Sequence, residues 1–144
     1  MLSLEWLYSQ DEVDWKELSN LYKAASLGNK SPEDLEKFFS NSMFKCFVFD
    51  NGKLIGVGRG LADGVDCSYI CDVAVLPDYQ GAGIGKDIVS NLVELSKGHR
   101  KIILYAYPGK EQFYKKLGFK RMSTAMAIFE NQDQAFELGL IDES

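Results

Sequence analysis

Ile70-Cys71-Asp72-Val73-Ala74-Val75-Leu76-Pro77-Asp78-Tyr79-Gln80-Gly81-Ala82-Gly83-Ile84-Gly85-Lys86 is the stretch from which the fold of this 144-residue chain is read. It begins as an apolar strand, stops at Pro77, turns through three glycines and enters an amphipathic helix. A strand that feeds a glycine turn into a helix N-terminus builds an anion site: the first-turn N–H groups lack intrahelical acceptors, and the helix dipole favours negative charge there. Glycines allow that backbone to approach a phosphate without Cβ interference.

Working outward, the helix carries Ile84, Ile88, Val89, Leu92, Val93 and Leu95 as one stripe and ends before Gly98. Lys101 to Tyr105 then reads as a short buried strand, parallel to the first as in a β-α-β unit. Upstream, Phe44–Phe49 and Lys53–Leu61 form a hairpin around Asn51-Gly52. With Ser68–Leu76 they make a three-stranded antiparallel meander. Gly56, Gly58 and Gly60 thin one side of its middle strand. Further upstream, Leu2–Tyr8 alternates as a first strand. A helix follows Asp11, with Val13, Leu18, Leu21, Tyr22 and Ala25 on one face, and a second starts at Ser31-Pro32-Glu33-Asp34. Downstream, Pro108-Gly109 opens a short helix that Gly118 ends in the left-handed conformation. A final strand system is expected over Phe119–Phe129, then a peripheral helix or tail. The expectation is one mixed α/β domain over residues 1–144, with a mostly antiparallel sheet, one parallel strand pair and helices on both faces.

Composition narrows the class. The chain is 46% hydrophobic and 26% charged with three prolines, as in an ordinary globular protein. A net charge of −5 argues against a general nucleic-acid surface. Cys46, Cys67 and Cys71 lack metal-ligand spacing and there is one histidine, so no metal is expected. The N-terminus lacks a signal-peptide pattern and no apolar run is long enough to span a membrane, so the expected compartment is the cytoplasm.

Two phosphate motifs fail on spacing. The dinucleotide fingerprint needs glycine where Lys86 stands, and the P-loop needs glycine at Gln80 and Ser or Thr at Asp87. Gln80-Gly81-Ala82-Gly83-Ile84-Gly85, preceded by Val-Ala-Val-Leu-Pro, resembles instead the acetyl-CoA signature of the GCN5-related N-acetyltransferase (GNAT) superfamily. Phe113-Tyr114-Lys115-Lys116-Leu117-Gly118-Phe119 is similar to a second segment of that family. The element order agrees over nearly the whole chain.

The resemblance implies acetyl-CoA as cosubstrate, a primary amine of a small molecule as acceptor, and direct attack in a ternary complex. It implies that Gln80, Gly81, Ala82, Gly83, Ile84 and Gly85 surround the pyrophosphate with Lys86 at the rim. Val73, Ala74 and Val75 would lie along pantetheine, with Phe113 beside the cosubstrate. Tyr114 would give a proton to the leaving thiolate, and a backbone N–H at Val73 or Ala74 would hold the oxyanion. Asp72 is the candidate base for the amine; a structural ion pair with Arg59 is the equal alternative, and both can hold together. His99 reads as a loop histidine and Cys71 as a buried core thiol.

Segments at Ile70–Val75, Lys101–Leu104 and Phe113-Tyr114 also look close to glucosamine-6-phosphate N-acetyltransferases. Cys71 and Tyr107, however, stand where that branch has acidic residues. Trp15, Tyr22, Phe38 and Phe39, with Asp63 and Asp66, suggest an aromatic and acidic pocket for a cationic amine. Rival readings are a non-catalytic acetyl-CoA sensor and a protein-lysine or N-terminal acetyltransferase. Many members dimerise, and a homodimer is compatible with the chain.

Overall fold

The computed structural model describes residues 2–142. The chain divides into two compact units after Leu104. The first holds strands β1 (Leu4–Leu7), β2 (Phe44–Asp50), β3 (Lys53–Ala62), β4 (Cys67–Val75) and β5 (Lys101–Ile103), with helices α1 (Trp15–Ala24), α2 (Pro32–Ser40) and α3 (Ile84–Leu95). Its sheet has the order β1-β2-β3-β4-β5. The first three pairings are antiparallel, and β4–β5 is parallel.

Local chemistry explains the boundaries. Asp14, three residues beyond the expected Asp11, caps α1 by accepting from the N–H groups of Lys16 and Glu17 at 3.0 and 3.2 Å. Ser31 caps α2 through Asp34 N–H, with Pro32 at its first position. Asn51 and Gly52 adopt positive φ (50° and 86°) in the β2–β3 turn, the backbone that Asn-Gly turns favour.

Helices cover both faces of the sheet. On one, Phe47, Phe49, Leu54, Val57 and Ala74 pack with Leu18, Leu21, Tyr22, Leu35 and Phe39 of α1 and α2. On the other, α3 lies close because β3 is thin there. A Cβ on Gly58 would sit 2.8 Å from both Ile88 Cγ2 and Leu92 Cδ1, and one on Gly56 would sit 3.0 Å from Ile88 Cδ1. The glycines of β3 are the docking groove of the helix that begins at the glycine turn.

The second unit contains α4 (Glu111–Lys116) and α5 (Gln132–Glu137). Gly118 ends α4 at φ 96°, and Phe119 N–H donates back to Tyr114 C=O at 3.1 Å, as the helix-stop reading required. Asn131 caps α5 through Gln134 N–H at 2.9 Å. Two expectations are corrected. The strand expected to be buried over Lys101–Tyr105 stops at Ile103, and none of its three residues is buried: Lys101 is exposed and Ile102 and Ile103 are half-buried. The final strand system over Phe119–Phe129 is absent: none of these residues joins a strand. The apolar alternation is there, but no neighbouring strand supplies a ladder, and a strand without one does not form.

Candidate active site

The site is built where β4 outruns its parallel neighbour. Pairing with β5 covers only Cys67↔Lys101, Ser68↔Ile102 and Tyr69↔Ile103, whereas β4 continues to Val75. On its other side β4 stays bound to β3, with Val57↔Ala74 and Gly56↔Val75. Val73, Ala74 and Val75 therefore lie on a stretch of strand with a ladder on one side, beyond the last parallel pair. An extended chain can add there through main-chain hydrogen bonds.

The turn that follows is anchored from two directions. Tyr79 Oη donates to Asp50 Oδ2 at 2.8 Å, and Gln80 Nε2 donates to Val75 C=O at 2.9 Å. The Gln80 side chain thus fastens the turn to the end of β4. Gly81 and Gly83 take φ values of 88° and 85°, and a Cβ on either would meet no atom within 4 Å. Their glycine requirement is conformational, and the surface beside them is open. Gly83 caps α3 without a side-chain bond, and Asp87 N–H is the first to close back, to Gly83 C=O at 3.0 Å. The N–H groups of Ile84, Gly85 and Lys86 precede that bond, at the positive end of a 12-residue helix. Lys86 is exposed on the same turn, and Ala82 between the glycines is exposed too. These residues fit a pyrophosphate: open donors, no obstructing Cβ and a cation at the rim.

Asp72 occupies a β-bulge. Val57 pairs with Ala74 and Arg59 with Cys71, so Asp72 and Val73 stand opposite the single residue Gly58. Asp72 has φ 56°, a left-handed conformation that Asp tolerates better than most non-glycine residues. Its surroundings hold it there. Arg59 Nε donates to Asp72 Oδ2 at 2.8 Å, with the side chains 13% and 22% exposed. Fully buried Tyr22 donates its hydroxyl to Asp72 C=O at 2.8 Å. Arg59 Nη1 donates to Ser42 Oγ at 3.2 Å, and its guanidinium lies 4.9 Å from the centre of the Phe38 ring. The expected Arg59–Asp72 pair is present, embedded in a network from α1 (Tyr22), α2 (Phe38) and the turn before β2 (Ser42). Asp72 Oδ1 takes no hydrogen bond in it.

The other candidates fall into place individually. Burial pushes the Cys71 thiol up to about 11, so it is not a ready nucleophile. Burial likewise pushes Cys46 up to about 12. His99 is structural: Nδ1 bonds Ser96 C=O at 2.8 Å and Nε2 accepts from Gly64 N–H at 3.0 Å. The aromatic and acidic acceptor pocket does not assemble as expected. Tyr22 and Phe39 are fully buried core. Asp63 is consumed by its own loop, accepting from the N–H groups of Val65, Asp66 and Cys67 at 2.7–3.2 Å. Those bonds hold its carboxyl down at about 2. Asp66 pairs with Lys101 at 2.8 Å. The Tyr22 bond to Asp72, the part of Ser42 and the bulge are what sequence reading missed. An aspartate opposite a glycine in adjacent strands is a faint signal of such a bulge.

Phe113 and Tyr114 belong to the second unit, on α4. Their rings meet edge-on at 5.0 Å, and Phe119 meets Tyr114 edge-on at 6.0 Å. Partial burial raises the Tyr114 phenol above its ordinary value, which keeps its proton in place at neutral pH. Among the described residues no group of three His, Cys, Asp or Glu side chains could hold a metal, and no helix is long and apolar enough to cross a membrane.

Comparison with known proteins matches residues 9–119 to the model of the acetyltransferase (GNAT) family. An uncharacterised N-acetyltransferase of the ycf52-like type from Prochlorococcus marinus is 32% identical over 113 residues, 74% of this chain and 63% of that protein. A chloroplastic serotonin N-acetyltransferase 2 from Oryza sativa subsp. japonica is 35% identical over 88 residues, 58% of this chain and 44% of that one. The chain thus spans less than two thirds of the length of either curated relative. A crystal structure of a probable acetyltransferase from methicillin-resistant Staphylococcus aureus superposes with a TM-score of 0.80 at 26% identity, covering 90% of this chain and 99% of that one.

Proposed function

Because this chain belongs to the acetyltransferase (GNAT) family, we propose that it moves the acetyl group of acetyl-CoA to the primary amine of a small molecule. The observation that carries the donor half is the continuity from Val73 to Lys86. Strand backbone beyond the last β4–β5 pair runs into a glycine turn with open N–H groups at the head of α3. In this reading Val73, Ala74 and Val75 hold the pantetheine amides. Gly81 to Gly85 with Lys86 hold the pyrophosphate, and Gln80 keeps the turn attached to β4.

The reaction needs a neutral amine, a held oxyanion and a proton for the thiolate. A free alkylammonium has a pKa of about 10, so a base is required. Asp72 takes that role, directly or through water, using Oδ1 while Arg59 holds Oδ2. The amine nitrogen bonds to the thioester carbon, and the charge formed on its oxygen is met by a backbone N–H at Val73 or Ala74. The carbon–sulfur bond then breaks and Tyr114 supplies the proton to the thiolate.

The small-amine acceptor is supported by the rice relative's name. The test is thiol release from acetyl-CoA with a panel of arylalkylamines, polyamines, amino sugars, aminoglycosides and peptide N-termini. Turnover with a small amine and not with peptides is the expected result. Turnover only on peptides or proteins overturns the acceptor class, and tight acetyl-CoA binding without turnover on any amine overturns the catalytic reading.

A further inference from the structure

Asp50 ends β2 and stands in register with Leu4 of β1 and Lys53 of β3. Both of its carboxylate oxygens are committed. Oδ1 accepts from Ser3 N–H at 2.9 Å, and Oδ2 accepts from the Tyr79 hydroxyl at 2.8 Å. Asn51 N–H donates back to Ser3 C=O at 3.1 Å, so Ser3 and the hairpin turn hold each other beside the carboxylate. Tyr79 is gripped at its ring as well, with Lys53 Nζ 5.8 Å from the ring centre. The Ser3 and Tyr79 bonds keep the Asp50 carboxyl below its ordinary value, and the bond to Asp50 raises the Tyr79 phenol. The pair therefore stays a phenol on a carboxylate throughout the neutral range.

Tyr79 lies two residues before Gly81, where the turn opens to its surroundings. A Cβ on Gly81 or Gly83 would meet no atom within 4 Å, so packing at those two positions does not hold the backbone in place. It is held from its ends. Downstream stands α3, seated on the glycines of β3. Upstream, Leu76 N–H donates to Ile55 C=O at 2.9 Å and Gln80 Nε2 to Val75 C=O at 2.9 Å, which ties the turn to β3 and β4. Tyr79 adds an anchor on β2, two strands across the sheet from β4. A loop held in its bound shape before the ligand arrives gives up less freedom on binding, and affinity rises accordingly.

We propose that Tyr79 and Asp50 are positioning residues for the acetyl-CoA donor: their bond holds the glycine turn in the shape in which its N–H groups receive the pyrophosphate. The inference rests on the proposed reading of that turn as the pyrophosphate site. Neither residue has a part in the acetyl-transfer steps, so the bond acts on the donor's affinity and leaves the chemical step alone.

The experiment measures Kd for acetyl-CoA by calorimetric titration, and KM and kcat with acetyl-CoA varied, on the full chain and on Tyr79→Phe, Asp50→Ala and the two combined. Tyr79→Phe keeps the ring and its Lys53 contact and removes the hydroxyl. It is expected to raise Kd and KM for acetyl-CoA about tenfold, the scale of one lost bond to a charged group. Its kcat at saturating acetyl-CoA is expected to be retained. Asp50→Ala should match it, and the combined variant should bind no more weakly than Asp50→Ala, because both changes remove one interaction. Additive losses overturn the proposal, since the two residues would then act separately. A fall in kcat with KM unchanged, the signature of a smaller folded fraction, overturns it too. If the unaltered protein does not bind acetyl-CoA, the donor reading falls and this proposal with it. Binding by the unaltered protein with an unchanged Kd in Tyr79→Phe removes this proposal alone. Titration of Tyr79→Phe decides the matter even where Asp50→Ala does not fold.

Discussion

Arg59 Nε and Asp72 Oδ2 meet at 2.8 Å across a β-bulge in which Asp72 takes a left-handed backbone conformation. The pair is mostly buried, and Arg59 is itself held by Ser42 Oγ and the Phe38 ring. A carboxylate so held has Oδ2 committed to Arg59 while Oδ1 takes no hydrogen bond. The arrangement turns an aspartate that would otherwise rotate into a group with a set direction.

Asp72→Asn is expected to lower kcat by about a hundredfold, in the range of a lost general base, while acetyl-CoA affinity stays as it was. Arg59→Lys keeps the charge but loses the planar fork that spans Asp72 and Ser42. It should give a partial loss, and Arg59→Met a loss close to that of Asp72→Asn. Steady-state kinetics across pH on the three variants check this. Full kcat in Asp72→Asn would assign the pair to structure alone.

Two glycine substitutions separate conformation from packing. Gly83→Ala adds a Cβ that meets nothing, so its cost is the left-handed backbone, about 1–2 kcal/mol. Its larger effect should be a weaker Kd for acetyl-CoA, because the N–H groups it positions shift. Gly58→Ala forces a Cβ to within 2.8 Å of Ile88 and Leu92. It should lower stability by about 1–3 kcal/mol with acetyl-CoA affinity of the folded fraction unchanged. Calorimetric titration and thermal melts distinguish the two.

Tyr114→Phe should lose most of kcat with little change in acetyl-CoA affinity, since the ring remains and only the proton donor is gone. Burial raises the phenol, so a fall in kcat from its ionisation belongs above the ordinary tyrosine value of about 10. A pH–rate profile of the unaltered enzyme with a saturating amine checks the position, and unchanged turnover in the variant would remove Tyr114 from the mechanism.

Asp63 supplies an acid-side prediction. Its folded carboxyl sits at about 2 against an ordinary 3.8, because backbone N–H groups bind the charged form. The unfolded state therefore binds more protons between those values. The contribution is present above about 3.8 and is lost as pH falls through about 2. Asp63→Ala should remove this component from the acid-denaturation curve and raise hydrogen exchange at Val65, Asp66 and Cys67.

Cys71 is expected to resist alkylation by iodoacetamide at neutral pH in the folded protein, because burial holds the thiol up at about 11. Cys71→Ala should retain acetyl transfer. Inactivation of that variant, with intact folding by circular dichroism, would revive a covalent route.

The geometry of the strand–turn–helix segment was legible because it is local. Pro77, the glycines at 81 and 83, and the stripe from Ile84 to Leu92 are set by backbone sterics and helical period, and the structure keeps all of them in place. The hairpin at Asn51-Gly52 and the helix start at Ser31-Pro32 were legible for the same reason. What acts at a distance was not. Whether Asp72 faces Arg59 depends on a bulge of one residue, and the bulge depends on how β3 and β4 register against each other. Tyr22 and Phe39 looked like pocket aromatics until packing of α1 and α2 on the sheet buried them. The strand expected at 119–129 has the right alternation, yet strand formation needs a partner that sequence period cannot supply. Local geometry is written in a dozen neighbouring residues, whereas register, burial and pairing are sums over contacts between residues far apart in the chain, and only the tertiary structure decides them.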